Sequence, residues 1–133
     1  MQRLMCKGKI HRAKVTDAEL EYEGSVTIDA ALMKAADILP HEVVQITNLS
    51  NAVRWITYAI PAEEGSGRIC LNGPPARLFR PGDFVVILSL GWVDAEELGN
   101  FAQRVVFVDG DNRIARVERR PLAGGNGWAA EQA

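Results

Sequence analysis

Four short stretches carry the side chains best suited to chemistry. Tyr22-Glu23-Gly24-Ser25-Val26 offers a hydroxyl directly after a glycine. Gly8-Lys9-Ile10-His11 offers an ammonium and an imidazole two residues apart, which on a β-strand means one face. Arg54-Trp55-Ile56-Thr57-Tyr58 offers a guanidinium, a hydroxyl and a phenol. On a regular strand Arg54, Ile56 and Tyr58 share a face and Thr57 points the other way. Asn72-Gly73 adds an amide before a second glycine. Guanidinium and ammonium groups bind carboxylates, arginine in a bidentate fork. A serine hydroxyl is a nucleophile once activated. A phenol with a pKa of about 10 can protonate a strongly basic carbon. Each stretch also has an ordinary reading: Gly24-Ser25 a turn, Lys9 and His11 a solvated strand edge, Arg54 and Tyr58 a surface and a packed side chain. Asn72-Gly73 reads as a type I′ hairpin turn.

The elements that must position these groups are mostly strands. Short apolar runs bounded by turn residues predict strands at 3–8, 10–16, 24–28, 43–48, 53–60, 67–71, 84–90, 104–108 and 113–118. Arg80-Pro81-Gly82-Asp83, Asn48 to Asn51 and Asp109-Gly110-Asp111-Asn112 are turn signals. The last has oxygen ligands at calcium-like spacing but lacks the rest of a calcium loop, so a hairpin is the better reading. One helix is predicted over 30–38, capped by Asp29 and stopped by Pro40, with Leu32, Ala35, Ala36 and Leu39 on its apolar face. A helical turn is predicted from Asp94 through Glu97 and Leu98. The pattern is mainly β, a barrel with one or two short helices. Residues 1–120 form a single domain, and 121–133, rich in Gly and Ala, form a flexible tail in which Trp128 docks only on a neighbouring surface.

The 133 residues suffice for one core, and 47% of them are apolar. A formal net charge of −2 supplies no field for nucleic acid. Cys6 and Cys70 lack CxxC spacing and read as reduced, cytoplasmic thiols. No His/Cys cluster has zinc spacing. No secretory leader is seen, and the apolar run from Phe84 to Val93 is shorter than the roughly 20 residues a bilayer requires.

Together the stretches resemble one family. Gly8-Lys9-Ile10-His11-Arg12-Ala13-Lys14-Val15-Thr16, then Tyr22-Glu23-Gly24-Ser25, then Arg54-x-x-Thr57-Tyr58-Ala59-Ile60, then Asn72-Gly73, resemble the bacterial aspartate 1-decarboxylases over residues 1–117. The resemblance implies a double-psi β-barrel, a homotetramer with active sites at subunit contacts, and a proenzyme cut autocatalytically between Gly24 and Ser25. Ser25 would become a covalent pyruvoyl cofactor, with no metal. That group forms a Schiff base with L-aspartate, and loss of CO2 gives β-alanine for pantothenate and coenzyme A biosynthesis. Tyr58 would reprotonate the product carbon. Gly24, Ser25, Thr57 and Tyr58 would serve processing. Lys9, Arg54, Thr57, Asn72 and Gly73 would serve substrate binding, while His11 is either a structural hydrogen-bonder or part of the pocket. Conformational freedom at Gly24 is expected to allow strain at the scissile bond. For Thr57 to join Tyr58 in one pocket, the strand should bulge or end near residue 57.

One departure stands out. After Asn72-Gly73 the family usually carries alanines, whereas this chain has Pro74-Pro75-Ala76, and proline has no N–H to donate. Two other readings use the same residues. One is the same machinery with altered amino-acid specificity. The other is an uncleaved barrel that acts as an interaction module. Cleavage can be spontaneous or aided by a maturation factor.

Overall fold

Lys7 is an extra residue in the first strand, and that strand organises the rest. The computed structural model describes residues 1–125, 127 and 128. In it, β1 runs unbroken over Gln2–Lys14 where two strands are predicted. Bulges between Cys6 and Gly8 and between Ile10 and Ala13 bend it instead of breaking it. Gly8 is required for packing: a Cβ there would lie 2.0 Å from the Ala36 carbonyl oxygen.

The chain continues through β2 (Asp17–Glu19), β3 (Ser25–Asp29), α1 (Ala30–Ala35), β4 (Val43–Asn48), β5 (Arg54–Ala62) and β6 (Ile69–Asn72). A 3-10 turn at Pro74–Arg77 leads to β7 (Phe84–Asp94), a second at Ala95–Asn100 to β8 (Ala102–Val108), and β9 (Ile114–Pro121) follows. The strands form one sheet in the order β2-β6-β3-β5-β4-β7-β1-β8-β9. Only Val15 and Thr16 join β1 to β2, although these strands are six places apart in that order. Six places of a flat sheet span about 29 Å, and the step from Lys14 to Asp17 reaches at most about 11 Å. The sheet is therefore rolled, in keeping with the barrel expected. The amide of Thr16 donates to the Ile69 carbonyl at 2.8 Å across the seam.

Alternate residues point into the roll. Ile10, Val26, Ile28, Val44, Ile46, Ala59, Ile69, Leu71, Val85 and Ile87 form one buried cluster with Leu32, Met33 and Phe79. Each large apolar side chain so buried contributes about 1.5–3 kcal/mol.

The helix is shorter than predicted. Asp29 caps it as expected, its carboxylate accepting from the Ala31 amide and also from Gly65 and Gly67. The helix ends near Ala36 because Asp37 turns left-handed (φ 59°) and the Ile38 amide closes on the Met33 carbonyl. Leu39 is consequently 67% exposed, and Met33 and Ile38 take the buried places. The turn after Asp94 forms as expected, closed by a capping box with Glu97. The 109–112 turn is a hairpin, with the Asp109 carboxylate accepting from Asp111 and Arg113 amides. Of the predicted tail, residue 126 and residues 129–133 lie outside the described residues.

Candidate active site

Asn72 does not form the predicted hairpin. It is the last residue of β6, and the chain then leaves the sheet through Gly73 into the 3-10 turn. The cause is Pro74-Pro75. Neither residue can donate to a ladder, but both fit the first two positions of a helical turn, where an N–H has no partner within the turn. Gly73 adopts φ 77° and ψ −144°, a conformation largely reserved for glycine. A Cβ at Gly73 would meet the Gly24 Cα at 2.9 Å and the Gly24 nitrogen at 3.0 Å.

The corner thus lies close against the backbone on the nitrogen side of Gly24. Gly24 itself has no left-handed φ, and a Cβ there would meet only the Pro74 ring, at 3.9 Å. The conformational demand expected at Gly24 falls on Gly73 instead.

Ser25 opens β3 and has no exposed surface. Its hydroxyl donates to the Glu23 carbonyl at 2.9 Å and accepts from Asn72 Nδ2 at 3.0 Å. Asn72 Nδ2 also donates to Thr27 Oγ1 at 2.9 Å, and the Cys70 thiol donates to Asn72 Oδ1 at 3.2 Å. Antiparallel pairing of β3 with β6 explains the cluster: Ser25 faces Asn72 and Thr27 faces Cys70, so all four side chains share one face. Thr27 and Cys70 were missed by the sequence reading. Alternation along the predicted strands 24–28 and 67–71 was the signal that could have found them.

On its other edge β3 runs parallel to β5, with Val26 beside Ala59 and Thr27 beside Ile60. One step back along that register Ser25 neighbours Tyr58, and the two side chains share a face. Tyr58 stacks at a tilt on His41, with ring centroids 6.1 Å apart. Thr57 is on the opposite face, with Trp55 and Ala59. The expected bulge is absent. The β4–β5 ladder runs regularly from Thr47/Arg54 to Val43/Tyr58, and the Ala59 amide continues it to the Glu42 carbonyl. Both β4 and β5 keep strict alternation here, so nothing shifts Thr57 to Tyr58's side.

The two cations stand apart from this cluster. Arg54 is on Tyr58's face but about 13 Å along the strand. Lys9 lies in a lateral row with Leu88, Gln45 and Ile56. Three strand spacings separate it from Ile56, about 14 Å along the sheet. Ser25 is one strand further. One chain therefore joins Gly24, Ser25, Tyr58, Asn72 and Gly73 on one side, and leaves half-buried Lys9 and exposed Arg54 apart from them on the same outer surface. His11 packs edge-on to Phe107 at 5.6 Å, and its buried Nδ1 has no hydrogen-bond partner. Burial, then the nearby charges of Lys9, Arg12 and Arg120, hold its pKa below the usual 6.5. Burial also pushes the Cys70 thiol up to about 11, with the Asp17 carboxylate adding to the effect.

A cleft of about 630 Å³ opens beside Thr27 and Asn72. Its walls carry Glu19, Glu21 and Glu63 against the single cation Arg68, a net negative lining that suits a dicarboxylate poorly, and neither Lys9 nor Arg54 lines it.

The sequence profile described as aspartate decarboxylase matches residues 1–115. An aspartate 1-decarboxylase of Thermoanaerobacter pseudethanolicus is 55% identical over 113 residues, 85% of this chain and 97% of the relative. That of Syntrophobacter fumaroxidans is 53% identical, covering 85% and 91%. That of Myxococcus xanthus is 47% identical over 124 residues, covering 93% and 95%. The chain belongs to the aspartate decarboxylase family.

Proposed function

We propose that this chain is an aspartate 1-decarboxylase, a carboxy-lyase that converts L-aspartate to β-alanine and CO2 after cutting itself between Gly24 and Ser25. The observation that carries the reading is the fully buried Ser25 hydroxyl, held from both sides one residue after Gly24. Ser25 Oγ attacks the Gly24 carbonyl carbon. A C–O bond forms, the C–N bond breaks, and the hydroxyl proton ends on the released Ser25 nitrogen. Loss of the residue-25 Cα proton then expels the Gly24 carboxylate. One water converts the remaining unsaturated amine to a carbonyl and ammonia, leaving a pyruvoyl group at residue 25. An oxyanion donor aimed at the Gly24 carbonyl is worth about 3–4 kcal/mol by analogy with acyl-transfer sites; of the two candidate hydroxyls, Tyr58 shares Ser25's face within this chain and Thr57 does not.

The site suits such a group: once Ser25 Oγ leaves with the Gly24 carboxylate, Asn72 Nδ2 loses that partner and stands beside residue 25 as a donor for the carbonyl oxygen supplied by water. The pyruvoyl carbonyl supplies a bond to the substrate amine and a sink for the electron pair left by CO2. Arg54 holds one carboxylate in a fork and Lys9 adds charge. Tyr58, beside residue 25, returns the proton to carbon. Their separation within one chain favours a homotetramer in which neighbouring copies complete each site. Val43, Ile56, Leu90 and Trp92, apolar and exposed on the same outer face, fit such covering. Free Cys6 and Cys70 suit the cytoplasm, and the product suits pantothenate biosynthesis. Among the described residues no helix is long and apolar enough to cross a membrane.

Intact mass under denaturing conditions tests the reading. We expect two chains, residues 1–24 and 25–133, the larger reactive toward hydrazine, and a single chain for Ser25→Ala. A wild-type chain still intact after prolonged warming with cell extract would overturn it. Steady-state rates on aspartate and glutamate should favour aspartate by roughly tenfold or more, despite the two amide donors missing at Pro74 and Pro75.

A further inference from the structure

The amide of Asn72 has two nearly isosteric orientations, and only one of them serves Ser25. With Nδ2 toward Ser25 and Thr27, the Ser25 oxygen accepts a hydrogen bond and its proton is turned to the Glu23 carbonyl. A lone pair is then left for the Gly24 carbonyl carbon. With the amide reversed, Oδ1 would face Ser25 and compete for that proton, drawing the oxygen away from its target. Ser25 and Thr27 do not decide between the orientations, because hydroxyls both donate and accept. The third neighbour favours the first: reversal would take Oδ1 away from the Cys70 thiol that donates to it and set Nδ2 against sulfur, a weak acceptor.

We propose that Cys70 is a positioning residue for self-cleavage: its thiol, donating to Asn72 Oδ1, fixes the amide orientation that aims Ser25 Oγ at Gly24. The thiol is fully buried and faces Thr27 across the β3–β6 ladder, with Asn72 Oδ1 at 3.2 Å and the Asp17 carboxylate as the two acceptors within its reach. Burial keeps it protonated, hence a donor, throughout the neutral range. The inference rests on the proposed cut between Gly24 and Ser25 and adds no new step: the hydroxyl proton still ends on the released Ser25 nitrogen.

The test follows cleavage of freshly purified precursor by intact mass, for wild type, Cys70→Ser and Cys70→Val. Serine keeps a donor, while valine fills similar space without one. Cys70→Ser should cleave within about threefold of wild type and Cys70→Val about tenfold more slowly, the scale on which one neutral hydrogen bond acts on a rate. In an Asn72→Ala background Cys70→Val should cause no further slowing, since the amide it orients is gone. Equal rates for valine and wild type would overturn the proposal. So would a slowing by valine that persists undiminished without Asn72, because that marks a packing effect. Should Cys70→Val fail to fold, the Ser variant decides in the same way: a large loss with the donor retained overturns the proposal, and a near-normal rate supports it. An uncleaved wild type would overturn the Gly24–Ser25 reading itself, and this proposal with it.

Discussion

Ser25 and Arg54 lie on adjacent strands and on the same face of the sheet, yet their surroundings are opposite. Ser25 has no exposed surface, and its hydroxyl has two hydrogen-bond partners. Arg54 is exposed, and its side chain has no partner among the described residues. The difference follows from what each must meet. A hydroxyl that reacts with its own backbone has to be aimed by the chain before any ligand arrives, so it is fixed by β3–β6 pairing and by the Gly73 corner. A cation that receives a free dicarboxylate has to stay accessible and unpaired. Changes at the buried end should therefore act on folding and maturation, and changes at the exposed end on substrate alone.

The largest expected effect is at the corner. Gly73→Ala places a Cβ 2.9 Å from the Gly24 Cα in a conformation suited to glycine. We expect a loss of about 3 kcal/mol, combining backbone strain with a clash against backbone that cannot turn aside. Gly24→Ala, whose Cβ would meet only the Pro74 ring at an ordinary contact distance of 3.9 Å, should cost under about 1 kcal/mol. Urea unfolding in a Ser25→Ala background measures both without interference from cleavage. Equal costs at the two glycines would break the assignment of the strain to Gly73.

Next comes Arg54→Ala. Losing a bidentate, charge-assisted contact of about 1.5–3 kcal/mol should raise KM for aspartate by roughly 10- to 150-fold. The rate of precursor cleavage should stay within about twofold of wild type. A comparable fall in cleavage rate would show that the two regions are not separate.

This separation was only half legible in the sequence. β4 has the predicted bounds because buried Val44 and Ile46 alternate with Gln45 and Thr47. The helix ran long in the prediction because apolar spacing continues past Ala36, and only the left-handed Asp37 ends it. Asn72-Gly73 looked like a hairpin because the dipeptide usually is one, and the following prolines reversed the outcome. Ser25, Tyr58 and Asn72 could be named from their motif. Cys70 and Thr27 could not, since their part depends on cross-strand register. The distance of Lys9 from Ser25 depends on β7, β4 and β5 lying between their strands, a fact of topology that no local pattern carries.

The smallest expected effect lies just behind the buried cluster. Asp17 pairs with Cys70 in the β2–β6 ladder and binds Arg68 Nη2 at 2.8 Å. Burial opposes its charged form, but hydrogen bonds from Arg68 and Thr16 outweigh that and lower its pKa from the usual 3.8. Because the folded value lies below the unfolded one, the pair's stabilisation is present above pH 3.8 and fades as pH falls through the folded value. Both side chains are about a third exposed or more, at 34% and 45%, so solvent screens the pair. Asp17→Asn should cost less than about 1 kcal/mol at neutral pH, and the gap should close in acid. Denaturant unfolding of both proteins across that range measures it. A gap above about 2 kcal/mol at neutral pH, beyond what a surface pair supplies, would mean that the cluster around Ser25 leans on its exposed neighbour, and the contrast between a self-sufficient interior and an open surface would fail at that strand.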